Sequence, residues 1–130
     1  MDSLLSLIKA KRFDEAKLST GWSAHRDAAF CWACADGDLE IVNWFLEAGA
    51  DPAFEGNAPL YKACENGNTG VVTLLLSRKE VVANAHAHKN RCLFAAQREE
   101  FEDIETLLLA IPAVAAGPSM RKWGYGLLDD

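Results

Sequence analysis

The chain has no long hydrophobic run. Its apolar N-terminal stretch, Leu4, Leu5, Leu7 and Ile8, is closed off by Lys9, too short for the core of a signal peptide or for a membrane span. A cytoplasmic protein with no membrane partner is expected. Nor is there an excess of basic residues: 13 lysines and arginines face 19 aspartates and glutamates, for a net charge of -6. Nucleic-acid affinity rests on clustered cations that neutralise phosphates, so no nucleic-acid partner is expected. Cys31, Cys34, Cys64 and Cys92 lack the spacing of a disulfide framework. Three of them lie inside apolar helical patterns, as buried free thiols of a reducing compartment do. Also missing are a nucleophile elbow, a phosphate-cradling glycine loop and a pair of carboxylates set against a third group that would tune them. Neither enzymatic activity nor a cofactor is expected.

What the chain does have is apolar content in helical rhythm. Half of its 130 residues are hydrophobic, enough for one core without disulfides or metal. Leu39, Val42, Phe45 and Leu46 stand at i, i+3, i+6 and i+7 on one helical face, while Asp38, Glu40, Asn43 and Glu47 take the other. Gly37 marks a chain reversal, Asp38 is a good N-cap, and Gly49 with Pro52 beyond it is a helix stop. One helix pair cannot bury such a stripe alone and needs stacked neighbours. The pattern does return. Gly67 and Val72 follow Gly37 and Val42 by 30 positions, and Ala95 and Ile104 follow Ala63 and Val72 by 32. The two offsets imply an insertion of two residues. On this spacing Glu99 falls where Gly37 and Gly67 stand, Val114 matches Val82, and Trp32, Lys62 and Phe94 share one position.

Ala58-Pro59-Leu60-Tyr61, followed by Ala63-Cys64, resembles the Thr-Pro-Leu-His and Ala-Ala of ankyrin repeats. Pro59 suits the start of a helix because its missing N–H would be unpaired there anyway. The resemblance implies an all-α ankyrin-repeat solenoid of stacked helix-turn-helix units with short connecting hairpins or loops. It would form one domain over residues 1–130, with a capping unit at 4–26, repeats at 27–56, 57–89 and 90–116, and a tail or cap at 117–130 whose Trp123 docks on the last unit. In the capping unit Leu4, Leu5 and Ile8 form one apolar edge and Phe13, Ala16 and Leu18 the next. Residues 19–26 are then a connector whose Trp22 covers the first inner helix. The 30-residue spacing, against the family's usual 33, places a deletion in residues 53–57.

The resemblance further implies a non-enzymatic, monomeric module that binds a protein through hairpin tips and the concave inner-helix face. At matching positions these contacts are Asp36 with Ala35 beside it, Phe54, Glu55, Asn57, Glu65, Asn66, Gln97 and Arg98, with Trp32, Lys62 and Phe94 as second-rank candidates. Phe54 leads, because an aromatic at a hairpin tip is poorly placed for the core and well placed as an anchor. Charge is uneven along these units. Seven acids and no base lie between Asp27 and Tyr61, bases dominate from Lys62 to Arg98, and acids return from Glu99 to Glu105. Such runs are either ordinary solvated helix faces or a bipolar surface that orients a partner of complementary charge. Two other readings stand beside this one. A thiol- or metal-linked sensor would use Cys31 and Cys34 with His86 and His88. Against it, no strand precedes the cysteines, Cys34 takes a packed alanine position, and the histidines lie on another unit, so no metal is expected. A scaffold subunit of a larger assembly is the other.

Overall fold

A computed structural model describes residues 2–19 and 21–119. The expected docking of Trp123 lies outside the described residues. Among them there are ten helices and no strand: α1 (Asp2–Lys9), α2 (Phe13–Leu18), α3 (Trp22–Asp36), α4 (Leu39–Glu47), α5 (Phe54–Glu65), α6 (Thr69–Leu75), α7 (Lys79–Ala83), α8 (Ala87–Arg98), α9 (Glu102–Leu109) and α10 (Pro112–Ala116). Helices α3, α5 and α8 stack side by side as an inner row, and α4, α6 and α9 pack behind them. This is the all-α solenoid expected.

Small residues let the inner row pack closely. Ala29, Ala33, Ala63, Ala95 and Ala96 are buried with Phe30, Leu60 and Leu93, and the outer row meets them with Ile41, Val42, Phe45, Val71, Val72, Leu75, Ile104 and Leu108. Leu39, expected in this stripe, is 45% exposed, and Ile41 takes its place inside. At the N-terminal end Leu18 is exposed rather than part of the cap's apolar edge. The expected connector at 19–26 is short, because α3 begins at Trp22. Trp22 stacks on Phe45 at 6.0 Å and tilts against Trp44 at 5.2 Å, and Phe13 stacks on Trp44 at 4.6 Å. The end of the core is thus covered by aromatic rings, and Lys11 ties the cap to Glu40 at 2.7 Å.

Turns between paired helices follow the sequence closely. Gly37 and Gly67 adopt φ of 91° and 73°, and the Asp38 side chain accepts from the N–H groups of Glu40 and Ile41 at 3.0 and 3.4 Å. In the third unit the left-handed residue is Glu100, with φ 61°, whereas Glu99 is right-handed. The offset from the second to the third unit is therefore 33, not 32, and the insertion is three residues, not two. In that register Val114 matches Val81, both fully buried, in place of Val82.

The connections between units are not hairpins. The two between the repeats end in three successive left-handed residues, Glu55-Gly56-Asn57 and His88-Lys89-Asn90, all with φ between 48° and 68°. Residues so wound cannot extend into a ladder. The short helices α7 and α10 fill the remaining connections behind the outer row. Because the two left-handed turns match residue for residue, the deletion lies not at 53–57 but before them, where α4 is followed by Ala48, Gly49, Ala50 and Asp51 with no short helix.

Candidate functional site

Side chains on the free side of the inner row come from the middle turns of α5 and α8 and from the left-handed turn at the start of α8. Tyr61 and Phe94 occupy the same repeat position in the 33-residue register, each half-buried. Four residues further along the helices stand Glu65 and Arg98. Between the two helices lies an open groove of about 280 Å³ lined by Tyr61, His88, Lys89, Arg91, Phe94 and Arg98.

Arg91 is fixed by several partners. Its Nη2 donates to the carbonyls of Glu55 and Gly56, each at 3.3 Å, and its guanidinium lies over the Tyr61 ring, 4.7 Å from the centroid. The first contacts close off carbonyls of the left-handed turn that no helix satisfies, and the second adds a cation–π attraction. His88 covers Gly56 so closely that there is no room for a Cβ. The two left-handed turns are thus stacked, and Lys89 projects beside them, exposed. On the rim, Glu65 accepts from the Tyr61 hydroxyl at 3.3 Å and lies 3.9 Å from both Lys62 and Arg98, and Arg98 reaches Glu99 at 3.4 Å.

The structure separates the sequence candidates. Glu65, Asn66, Arg98, Lys62 and Phe94 lie on or beside this face, with Asp36 exposed at the end of α3. Glu55 is exposed on the left-handed turn. Phe54 is at no hairpin tip; it is a half-buried residue at the start of α5. Two candidates are corrected outright. Asn57 is fully buried and donates to the Val81 carbonyl at 2.8 Å, and Gln97 is buried and donates to Glu105 Oε2 at 3.0 Å. A partner cannot reach either, because each amide is turned inward onto a buried acceptor. Trp32 sits under Lys9, whose Nζ is 5.4 Å from the ring, in the seam between α1 and α3. It keeps its match with Lys62, 30 positions on, but not with Phe94: in the 33-residue register Lys62 matches the buried Ala95, and Phe94 matches Tyr61.

Tyr61, His88, Lys89 and Arg91 are the face residues the sequence reading missed. A register anchored on Asn57 and Asn90 rather than on the alanines would have placed Tyr61 with Phe94. Nothing in the sequence signals that Arg91 folds over Tyr61.

Cysteine chemistry finds no support here. Burial, with smaller contributions from Glu55 and Asp27, pushes the Cys31 thiol up to about 11, and burial pushes Cys34 higher still. Cys64 is raised by its hydrogen bond to Cys92 and by burial. A thiol that resists ionisation is a poor nucleophile. Among the described residues no three His, Cys, Asp or Glu side chains are grouped to hold a metal ion, and no helix is long and apolar enough to cross a membrane.

Comparison with known proteins agrees with this geometry. Residues 30–115 match the family described as ankyrin repeats (3 copies). Among curated proteins, the chain is similar to the Ankyrin repeat and KH domain-containing protein mask of Drosophila melanogaster, 32% identical over 62 residues. That match covers 48% of this chain and 2% of the far longer relative. No solved structure matches the chain. With more than half of its length matched, and with stacked helix pairs joined by left-handed turns, the chain belongs to the ankyrin-repeat family.

Proposed function

We propose that the chain is a non-enzymatic module that holds a protein partner on the free face of its inner helices, centred on the groove between α5 and α8. Ankyrin repeats are in general protein–protein interaction modules, which supports the class of function. The observation that carries the choice of face is the groove itself: two aromatic rings and three cations on a preformed surface. Aromatic and arginine side chains are the residue types that anchor interfaces. Because Arg91 and the left-handed turn are already fixed, little ordering cost accompanies binding. Asp36, Glu55 and Asn66 extend the surface along the rim.

A photo-crosslinking residue placed at Lys62, on the inner face, and separately at Thr73, exposed on α6, tests this in extract from the native cell. Protein adducts are expected from the Lys62 position and not from Thr73. Adducts from Thr73 alone would place the partner on the other side of the solenoid.

A further inference from the structure

We propose that the groove between α5 and α8 takes an acidic peptide segment, with an apolar side chain seated between Tyr61 and Phe94 and flanking carboxylates meeting Lys89 and Arg98. The proposal rests on the reading that the inner face binds protein, and adds the chemistry of what it binds.

The charge of the lining is the first ground. Lys89, Arg91 and Arg98 line the groove and no carboxylate does, in a chain whose acids outnumber its bases by 19 to 13. Among the described residues neither Lys89 nor Arg91 has an ion pair. Arg91 Nη2 donates to backbone carbonyls and its Nε has no hydrogen-bond partner among the described residues, so its charge is not offset by a neighbouring acid. Arg98 does face Glu65 and Glu99, at 3.9 and 3.4 Å, but these are half-exposed surface contacts. Contacts of that kind contribute little and exchange readily for a carboxylate brought by a partner. A groove of one sign with low-dielectric walls concentrates field and draws in the opposite charge.

Shape decides between a peptide and a small molecule. About 280 Å³ is at the lower edge of what encloses a drug-sized ligand, and the groove is open along one side. It fits one or two side chains of a chain that continues past it. The aromatic pair sets the rest. Tyr61 and Phe94 present apolar surface between the cations, which suits an apolar residue flanked by acids better than a uniformly acidic run. Nucleic acid fits poorly, because a chain of net charge -6 with one short cationic groove repels a polyanion everywhere else.

The test is selection of a phage-displayed library of random linear dodecapeptides on the full chain, followed by fluorescence polarisation with a labelled synthetic copy of the enriched sequence. Enrichment of Asp and Glu on either side of an aromatic or branched aliphatic residue is expected. Binding should weaken about tenfold or more with Lys89→Glu, Arg98→Glu or Phe94→Ala, or when the peptide's acids are replaced by Asn and Gln. It should also weaken as NaCl rises from about 0.05 to about 0.5 M. Circular dichroism of each variant confirms that the fold is kept. Thr73→Ala on the opposite face serves as the control and should change binding less than about twofold. Enriched peptides without acids that still depend on Phe94 would overturn the acidic chemistry and leave the inner-face reading standing. Acidic peptides indifferent to all three groove variants would overturn the site. No enriched peptide, with crosslinking at Lys62 intact, would likewise overturn the acidic segment but not the face. Binding of a labelled single-stranded RNA in place of any peptide would overturn both.

Discussion

Asn57 reaches the carbonyl of Val81, 24 residues ahead, and bonds it at 2.8 Å; Asn90 reaches Val114 across the same 24 residues at 2.9 Å. In the first unit Asp27 spans that interval too, but as an acceptor, from the N–H of Asp51 at 3.0 Å. The bond pins the start of each inner helix to the connection that follows its outer helix. Asn57→Leu should therefore cost about 0.5–1.5 kcal/mol in urea unfolding, since the Val81 carbonyl loses its side-chain donor and keeps only the Asn84 N–H at 3.2 Å. Asn57→Asp should cost more near neutral pH. Burial raises the folded pKa of the new carboxyl above its unfolded value, so stability is recovered below the unfolded pKa and lost as pH rises through the folded one. Unfolding midpoints compared between about pH 4 and pH 7 check the sign.

Glu100 stands at φ 61° in the turn where the two preceding units have Gly37 and Gly67. Glu100→Gly should stabilise the protein by about 0.5–1 kcal/mol by removing left-handed strain, and Glu100→Val should destabilise it. Thermal unfolding of the two variants should move in opposite directions.

Gly56 is covered by the His88 imidazole and has φ 62°. Gly56→Ala should destabilise through both the left-handed backbone and the crowded ring, while His88→Ala relieves only the second. A double-mutant cycle should give a favourable coupling of about 0.5 kcal/mol or more. Strict additivity would show that the two turns are not stacked as described.

The four thiols should react slowly with a disulfide reagent in the native state near pH 8. Cys31, half-buried, should react first, with a rate that climbs as pH rises toward about 11. In the unfolded chain the same thiol ionises near 9.0. Its contribution to stability is complete below that value and is lost as pH rises through about 11. Unfolding by urea at several alkaline pH values should follow that order.

Much of the fold was legible in the sequence. Apolar spacing on α4, the glycines at 37 and 67, and Asp38 as a cap are properties of one helix and its ends, set by residues three or four positions apart. The repeat register was legible only in part. Alanines recur at several positions of an inner helix, so Ala63 could be matched to Ala95 as readily as to Ala96. The candidate face inherits that ambiguity: matching Ala63 to Ala95 pairs Phe94 with Lys62 and Trp32 and leaves Tyr61 out.

The sequence by itself determined that the paired inner and outer segments are helices, which side of α4 is apolar, and that the units must stack, because amphipathic periodicity and turn glycines are local. Only the tertiary structure decided that Asn57 and Gln97 turn inward, that left-handed turns and short helices replace hairpins, and that Arg91 lies over Tyr61 beside Lys89 and Phe94. Those outcomes depend on partners far away in the chain. A buried amide follows the carbonyl or carboxylate it must satisfy, and a groove exists only once neighbouring units are in register.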